Sequence, residues 1–353
     1  MSYEDGWAAI NLEKPPRVPR FEPSAAEYHW ELVSAVTGRH VTQESPEEEK
    51  LAARQEFLRA WDYGIYFGCL IGGAELSACS TSMGHAEYAA EGADFDENVS
   101  CPFSDPEEVF AFDPWETYGQ KDHHTLEERF NRHYRERRDL YPDTVNTTGI
   151  YVTLMSGMIQ MLGWDMLLRA AGEDPKRFGQ LINRYATWIQ QFYDAVAESE
   201  AEVIYSHDDL VWSEGPFIHP DWYRTYIFPN LERLWAPLRE AGKKILFVCD
   251  GDYTQFAEDI AACGNHGFWF EIFTDLEYMT ERFGESHFII GNADSRVLTF
   301  GDRSTIRSEV ERCMAAGKGC PGYFLCTSGH IPPNVPVDNA LYYNEVYEEL
   351  RER

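Results

Sequence analysis

The feature that most constrains the fold is a regular alternation of short apolar segments with longer helical ones, from residue 148 to the C-terminus. The short segments have the length and the β-branched and aromatic content of strands. They are TGIYVTL (148–154), VIYSHDD (203–209), KILFVCDGD (244–252), GFWFEI (267–272), HFIIGNAD (287–294) and GYFLCTSGH (322–330). Helices are predicted at 156–171, 175–198, 220–241, 253–263, 276–283, 304–316 and 339–351. Strands that alternate with helices form βα units and a parallel sheet.

A further strand is predicted at WDYGIYFGCLI (61–71), and no linker separates it from the βα units. At least six such units in one chain favour an α/β fold, a single (β/α)8 TIM barrel with an N-terminal helical and loop extension. Residues 1–60 are predicted to pack on a barrel formed by residues 61–353, as one structural domain. A doubly wound open sheet is the alternative, although no G-x-G-x-x-G follows any strand.

The segments before the βα repeat are predicted to be less regular. The first 20 residues contain several prolines and charges, and we expect them to be an exposed lead-in. Residues 24–58 have helical periodicity, with Ser45 as a cap and Pro46 in the first turn of a helix. Residues 94–146 are polar and acidic, which predicts loops and short helices covering one face.

Composition excludes several classes of partner. The net charge of −30 would repel phosphate backbones, so we expect no nucleic-acid partner. No segment approaches 18 uninterrupted apolar residues, so we expect no membrane span.

The N-terminus has no basic stretch followed by an apolar one, and the eight cysteines include no Cys-x-x-Cys pair. Both features predict a cytoplasmic protein with reduced thiols.

Polar residues follow five consecutive predicted strands. In a barrel, catalytic groups lie at the C-terminal ends of the strands, around one mouth. One acid at a strand exit is usually a turn residue or a helix cap, and that alternative stays open for each residue alone. A set of carboxylate and imidazole groups suits zinc or another first-row dication. The strand ends supply His207-Asp208-Asp209, Cys249-Asp250, Glu271, Asn292 with Asp294, and Gly329-His330.

Two cysteines lie near this rim. Cys249 precedes Asp250 and faces the opposite way from it in an extended strand. The sequence leaves open whether Cys249 or Cys326 takes part in the site.

The C-terminal two thirds of the chain resemble the uroporphyrinogen decarboxylase superfamily. The resemblance rests on 208-DDLVWSEGPFIHPDWYRTYIFP-229, 243-KKILFVCDGD-252, 291-GNADSRVL-298 with Gly301 to Ile306, and 331-IPPNVPVDN-339. It implies a (β/α)8 barrel and one of at least two chemistries. Metal-free decarboxylases of the superfamily hold porphyrinogen carboxylates with arginines from an Arg-Gln-Ala-Gly-Arg-Tyr segment. That segment is missing, and Arg17 and Arg20 stand in KPPRVPRF instead.

The other chemistry belongs to zinc-dependent methyltransferases that work with corrinoid proteins. Their pattern is His-x-Cys-Gly-Asn after one strand and Gly-Cys before the Ile-Pro-Pro turn. In this sequence Val248, Asp250 and Gly329 stand at the positions of that His and the two Cys. The loss of the thiolates disfavours transfer to a thiol and favours the branch that demethylates methoxylated compounds.

The resemblance therefore implies a zinc-dependent methyltransferase. It would move a methyl group from a small O-methylated compound to the Co(I) corrinoid of a separate protein, since this chain lacks the Asp-x-His-x-x-Gly signature of a cobalamin-binding domain. Asp208 or Asp209 would protonate the leaving oxygen or fix a metal-bound histidine. The metal ligands would come from His207, Asp250, Glu271 and His330.

Several further residues are predicted to bind the substrate. They are Trp212, Tyr253, Asn292, Asp294 and Arg296. Aromatic residues, Trp269 and Tyr323 among them, would line the mouth or else pack in the core. The alternatives are methyl transfer from a methyl-corrinoid to a small acceptor, and a metal-free decarboxylase-like lyase or small-molecule-binding protein. A homodimer is left open.

Overall fold

The computed structural model describes residues 2–82 and 100–353, and the backbone of two short strands in between. The helices are α1 Ser2–Ile10, α2 Ala25–Tyr28, α3 Trp30–Thr37, α4 Glu47–Ala60, α5 Pro106–Ala111, α6 Pro114–Tyr118, α7 His123–Leu140, α8 Met155–Glu173, α9 Pro175–Glu198, α10 Pro220–Tyr226, α11 Phe228–Glu240, α12 Ala257–Cys263, α13 Leu276–Phe283, α14 Ser295–Phe300, α15 Arg303–Gly317 and α16 Val337–Leu350. The strands are β1 Ile65–Tyr66, β2 Glu87–Ala89, β3 Gly92–Asp94, β4 Val145–Ile150, β5 Val203–His207, β6 Lys244–Cys249, β7 Gly267–Phe270, β8 Phe288–Ile290 and β9 Tyr323–Phe324.

Seven of these strands form one parallel sheet, in the order β1-β4-β5-β6-β7-β8-β9. Strands that follow one another in this sheet are also neighbours in space, and the order never reverses as it does in a doubly wound sheet. Every residue of the seven strands is buried except Lys244, as expected for a sheet covered by helices on its outer face. The predicted α/β fold with a parallel sheet is confirmed, whereas an eighth strand is not found among the described residues.

Arg20 connects the two edges of this sheet. It forms single parallel bridges with Tyr63, beside β1, and with Leu325, beside β9. The Gly64 N–H donates to the Arg20 carbonyl at 2.9 Å, and the Leu325 N–H donates to the Pro19 carbonyl at 3.0 Å. The sheet is therefore curled, and a short piece of the N-terminal segment lies between its first and last strands.

The expectation that the first 20 residues are exposed is wrong. They contain helix α1, and Arg20 is fully buried. Its guanidinium lies 4.3 Å from the ring centroid of Trp61 and 4.4 Å from that of Tyr347. It is also 3.8 Å from the carboxylate of Glu22. Aromatic faces and a buried carboxylate compensate the charge that leaves water.

The helices of the N-terminal part contact the sheet and its outer layer. Helix α1 contacts β1 and β4, and α3 contacts α16. The division of the chain into an extension of residues 1–60 and a barrel of residues 61–353 stays a prediction. Ser45 does not cap α4, because Pro46 is the capping residue and the Ser45 hydroxyl accepts from the Thr42 N–H at 3.1 Å.

Most predicted helices lie within a few residues of the observed ones. The segment 220–241 is divided into α10 and α11, and α14 was not predicted. The segment 94–146 contains α5, α6 and the 18-residue helix α7, which is longer than expected; its residues 95–99 lie outside the described part of the chain. None of the helices in the described ranges has the length and apolar character of a membrane span.

Candidate active site at the mouth of the sheet

A cavity of about 620 Å³, including its open side, lies at the C-terminal ends of β5, β6 and β7. We call this edge of the curled sheet the mouth. The cavity is lined by Pro23, Ser24, Phe67, Tyr151, Tyr205, His207, Val248, Asp250, Trp269, Phe270, Glu271, Gly329 and His330.

Three adjacent strands each direct two side chains into this cavity. Side chains alternate between the faces of a strand, so residues two positions apart share a face. The pairs are Tyr205 with His207, Val248 with Asp250, and Trp269 with Glu271.

The register of the strands sets the levels of these residues. His207 pairs with Val248, and Val248 pairs with Trp269, so these three residues lie at one level of the sheet. In each of the three segments, the residue two positions further toward the C-terminus is acidic: Asp209, Asp250 and Glu271. The imidazole of His207 and the apolar side chains of Val248 and Trp269 therefore form one level of the sheet, and the three acidic residues form the next level toward the mouth.

Three of these groups lie close enough to share one cation. One donor atom from each of His207, Asp209 and Asp250 lies within 4.8 Å of the other two. Nε2 of His207 is 3.2 Å from Oδ1 of Asp209, and the same oxygen accepts from the Asp250 N–H at 3.3 Å. Asp209 thus contacts both of the other members of the group.

The orientation of His207 is fixed from behind. Its Nδ1 lies 3.2 Å from the Tyr151 carbonyl and 3.1 Å from the Ser156 hydroxyl. Since a carbonyl oxygen only accepts, Nδ1 carries the hydrogen and Nε2 faces the carboxyl groups. The Tyr151 ring stacks on the imidazole with centroids 3.8 Å apart and planes 12° apart. An imidazole held in this way is oriented as a metal ligand would be.

The electrostatics of the group favour a cation. Burial lowers the pKa of His207, but the carboxyl groups of Asp209 and Asp250 outweigh burial and raise it to about 9. Burial raises the pKa of Asp209, and contact with His207 brings it below its ordinary value. Burial also raises the pKa of Asp250 well above its usual range, and repulsion from Asp209 and Glu271 adds to this. The repulsion among these carboxyl groups would be relieved by an additional positive charge.

Asp208 lies outside this group. It is fully buried, and its Oδ1 accepts from the backbone N–H groups of Leu154 (3.1 Å) and Ser156 (2.9 Å), at the start of α8. Burial raises its pKa to about 7. Asp208 therefore stabilises the first turn of α8, whereas Asp209, the next residue, is directed toward His207 and Asp250.

Glu271 and His330 line the cavity but are not members of the three-residue group. Glu271 accepts from the Gly251 N–H at 3.4 Å, and burial raises its pKa, with repulsion from Asp209 adding to this effect. Burial lowers the pKa of His330 to about 4, so its imidazole is neutral at pH 7.

None of the five residues predicted to bind the substrate lines the cavity. Trp212 is 45% exposed and packs against Trp164 and Phe217 outside it. Tyr253 is fully buried among other aromatic rings, because the chain turns into a 3-10 helix directly after it.

The other three have structural partners. The Asn292 amide donates to the carbonyls of Glu271 (3.1 Å) and Thr274 (3.0 Å). Asp294 caps α14 and forms an ion pair with Arg296 at 2.8 Å. These contacts account for the polar groups that the sequence places after β8.

Several cavity residues were not predicted. Tyr205 could have been found from His207, since residues two positions apart share a face of a strand. Phe270 directly precedes the predicted rim residue Glu271, and the others come from segments with no polar signal at a strand end: Pro23, Ser24, Phe67 and Tyr151. Trp269 lines the cavity as one of the predicted possibilities, whereas Tyr323 is buried in the core and its hydroxyl donates to the Gly291 carbonyl at 2.6 Å.

The two cysteines near the mouth face away from the cavity. Cys249 is buried and accepts from the Leu210 N–H at 3.3 Å, and Cys326 is buried beside Thr327. Burial raises the pKa of both thiols well above the usual range, so neither is a thiolate. The positions corresponding to the methyltransferase ligands are instead Val248, Asp250 and Gly329, and all three line the cavity.

Comparison with known proteins gives two kinds of similarity. A model of the family described as Uroporphyrinogen decarboxylase (URO-D) matches residues 105–350. The chain is 24% identical over 219 residues to the uroporphyrinogen decarboxylase of Pelobacter propionicus, covering 61% of this chain and 62% of that protein. It is 26% identical over 171 residues to the uroporphyrinogen decarboxylase of Thermus thermophilus, covering 48% of each. The alignments therefore span about half to three fifths of these relatives.

Among solved structures, the chain is similar to a methyltransferase from Methanosarcina mazei. The TM-score is 0.65 at 16% sequence identity, and the alignment covers 99% of this chain and 98% of that one. At this identity the likeness shows a shared fold.

Proposed function

The chain belongs to the uroporphyrinogen decarboxylase family, and from this premise we propose that it is a zinc-dependent methyltransferase rather than a decarboxylase. The observation that carries the proposal is the group formed by His207, Asp209 and Asp250 at the wall of an aromatic-lined cavity. The similarity of the fold to that of a methyltransferase from Methanosarcina mazei also supports methyl transfer.

The donor set fits zinc. One imidazole nitrogen and two carboxylate oxygens, with a cavity beside them, match the number of protein ligands and the nitrogen and oxygen donor types that a catalytic zinc site uses. His207, Asp209 and Asp250 would hold the ion, and the Tyr151 carbonyl keeps the imidazole in the required orientation. When bound, zinc supplies Lewis acidity toward the oxygen of a small methyl ether in the cavity.

The residues of the chain position the reaction. The rings that line the cavity bind the body of a small O-methylated compound and exclude water from it. The acceptor is the Co(I) corrinoid of a separate protein that docks over the mouth. A Co(I) corrinoid bound there would supply the nucleophile for the methyl group. The carbon–oxygen bond would break with its electron pair left on the departing oxygen, and a proton from solvent would complete the reaction.

The lining of the cavity argues against a porphyrinogen substrate. A porphyrinogen with several carboxylates needs cationic side chains, and the lining contains no lysine or arginine among the residues that the structure describes. It contains Asp250 and Glu271 instead. Neither carboxyl group supplies the positive charge that the carboxylates of a porphyrinogen need.

A metal-free lyase is the second candidate function. It is favoured by the 3.2 Å contact between His207 and Asp209, because an imidazolium and a carboxylate can balance each other without a metal. In that state His207 would donate a proton to a substrate carbanion. Methyl transfer in the reverse direction, from a methyl-corrinoid to a small acceptor, would use the same site.

The test is an assay with Co(I) cobalamin as acceptor and a panel of small methyl ethers as donors. The absorbance change from Co(I) to methyl-Co(III) cobalamin reports transfer. We expect transfer that requires zinc and falls at least about 100-fold in Asp250→Asn, in line with the loss of a metal ligand. Asp259→Asn, on α12 at a partly exposed ion pair with Arg224, is the matched control. Release of carbon dioxide from a porphyrinogen by zinc-free protein, with no methyl transfer, would contradict the proposal.

A further inference from the structure

We infer that the substrate carries a positive charge: a small methyl ether that also bears an ammonium group, bound between Glu271 and a wall of aromatic rings. The inference rests on the proposed function and narrows its substrate class. It follows from the composition of the cavity wall and from the charges around it.

The ring wall consists of Phe67, Tyr205 and Trp269, which all line the cavity. The ring centroids of Phe67 and Tyr205 are 4.4 Å apart, and Trp269 lies 6.1 Å from the first and 6.2 Å from the second. The three rings therefore form one continuous aromatic surface. Faces of tryptophan and tyrosine attract ammonium groups, and they do so most strongly where water is excluded.

The charges of the cavity point to the same ligand. If His207, Asp209 and Asp250 hold a divalent ion, their two carboxylates balance its charge. Glu271 is then a further acidic group in the lining, where the described residues include no lysine or arginine. Within the described part of the chain, no side chain that lines the cavity supplies a lysine or arginine charge opposite Glu271, so a cationic ligand would complement this carboxyl group.

Neighbouring basic groups meet this need only in part. The charge of Arg296 acts to lower the pKa of Glu271, but Arg296 lies outside the cavity with a 62% exposed side chain and is paired with Asp294 at 2.8 Å. His330 does line the cavity but is neutral at pH 7, because burial lowers its pKa to about 4.

The position of Glu271 sets the size of the substrate. Gly251 follows Asp250 directly in the chain, and its N–H donates to Oε2 of Glu271 at 3.4 Å. The second carboxylate oxygen lies beside Gly329, where an added Cβ would be 3.0 Å from it. Glu271 is thus close to Asp250, one of the three candidate metal ligands. The ether oxygen would lie at the metal and the ammonium group at Glu271, so only a short carbon chain separates them.

Two ligands of the same shape provide the test. The first is (2-methoxyethyl)trimethylammonium and the second is its neutral isostere, 1-methoxy-3,3-dimethylbutane. Affinity is measured by calorimetry for zinc-loaded and for metal-free protein. We expect the cation to bind at least about 10-fold more tightly than the isostere, since both an ion pair and ring faces favour it.

Variants identify the groups responsible. Glu271→Gln should reduce the preference for the cation about 10-fold, and Trp269→Leu should reduce it about 3- to 30-fold. Trp269→Phe keeps a ring and should lose less, which separates the role of the ring from a loss of packing. Glu277→Gln, on the surface with a 59% exposed side chain, should keep the full preference.

The outcomes separate this inference from the proposed function. Equal affinity for the two ligands, or an unchanged preference in Glu271→Gln, would overturn the inference even if zinc binds and methyl transfer occurs. If zinc does not bind but the metal-free protein still prefers the cation, the proposed function fails and the charge of the ligand is upheld.

Discussion

Nε2 of His207 lies 3.2 Å from Oδ1 of Asp209, two residues further along the chain, while Asp208 between them contacts the backbone at the start of α8. Two adjacent aspartates therefore have different roles. Asp209 is one of the three candidate metal ligands, together with His207 and Asp250. Asp208 accepts hydrogen bonds from the backbone at the first turn of α8. Substitutions at the two positions should separate stability from metal binding.

Asp208→Ala should lower the free energy of unfolding by about 2–4 kcal/mol, because two buried N–H groups lose their acceptor. Asp208→Asn keeps an acceptor oxygen and should cost about 1 kcal/mol. Urea unfolding followed by circular dichroism measures both. Asp209→Asn should lose zinc with a smaller change in stability than Asp208→Ala. A loss of zinc in Asp208→Asn with unchanged stability would place Asp208 in the site instead.

Gly329→Ala should destabilise the protein by about 1–2 kcal/mol. Its φ of 75° disfavours a side chain, and the added Cβ would lie 3.0 Å from Oε1 of Glu271. Gly319→Ala is the matched control, because an added Cβ there meets nothing within 4 Å. Thermal unfolding of the two variants should differ, and equal melting temperatures would show that the mouth relaxes around a Cβ at residue 329.

His133 should contribute to the pH dependence of stability. Burial lowers its pKa to about 4, and nearby Arg137 adds to this effect, while the unfolded chain has a pKa near its ordinary value of about 6.5. Between these values the unfolded state binds more protons than the folded state, so stability rises with pH and is complete above about 6.5.

His133→Gln should therefore flatten the rise of the unfolding free energy between pH 4.5 and 7. The comparison is made between the variant and the wild-type protein, because other buried groups titrate in the same window. Identical slopes for the two proteins would mean that His133 is protonated in the folded state as readily as in the unfolded one.

Arg20→Ala should be strongly destabilising, by about 3–5 kcal/mol, because it leaves Glu22 as a buried carboxyl group without its cation. Arg20→Lys keeps the charge but loses the planar contact with Trp61, and an intermediate loss is expected. Arg17→Ala, at a partly exposed ion pair, should cost about 1 kcal/mol or less. Equal losses at Arg17 and Arg20 in urea unfolding would mean that the buried guanidinium of Arg20 contributes no more to stability than a partly exposed ion pair.

The sequence was informative where the local pattern determines the structure. Apolar strands alternating with helices were sufficient to predict the parallel sheet, and the structure brings Asp209, Asp250 and Glu271, which follow β5, β6 and β7, to the mouth. Strict use of the two-residue alternation would also have separated Asp208 from Asp209 and would have added Tyr205. Both the alternation of strands with helices and the two-residue alternation of side chains depend only on nearby residues, so they can be recognised in the sequence without knowing how distant segments pack.

The remaining features depend on contacts between distant parts of the chain. The prolines and charges of the first 20 residues predict an exposed lead-in, because the bridges of Arg20 to Tyr63 and Leu325 leave no local signal in the sequence. Asn292 and Asp294 follow a strand as a catalytic residue would, but neighbouring backbone and Arg296 occupy their polar groups. A polar residue at a strand end does not reveal which way its side chain turns.

The most direct test of the central claim is the metal content of the purified, untagged protein, measured by elemental mass spectrometry after exhaustive dialysis. The account predicts about one zinc per chain, little zinc in Asp250→Asn, and full zinc in Glu277→Gln. A wild-type protein that holds no metal, even after incubation with zinc, would contradict the account and leave His207 and Asp209 as a metal-free ion pair.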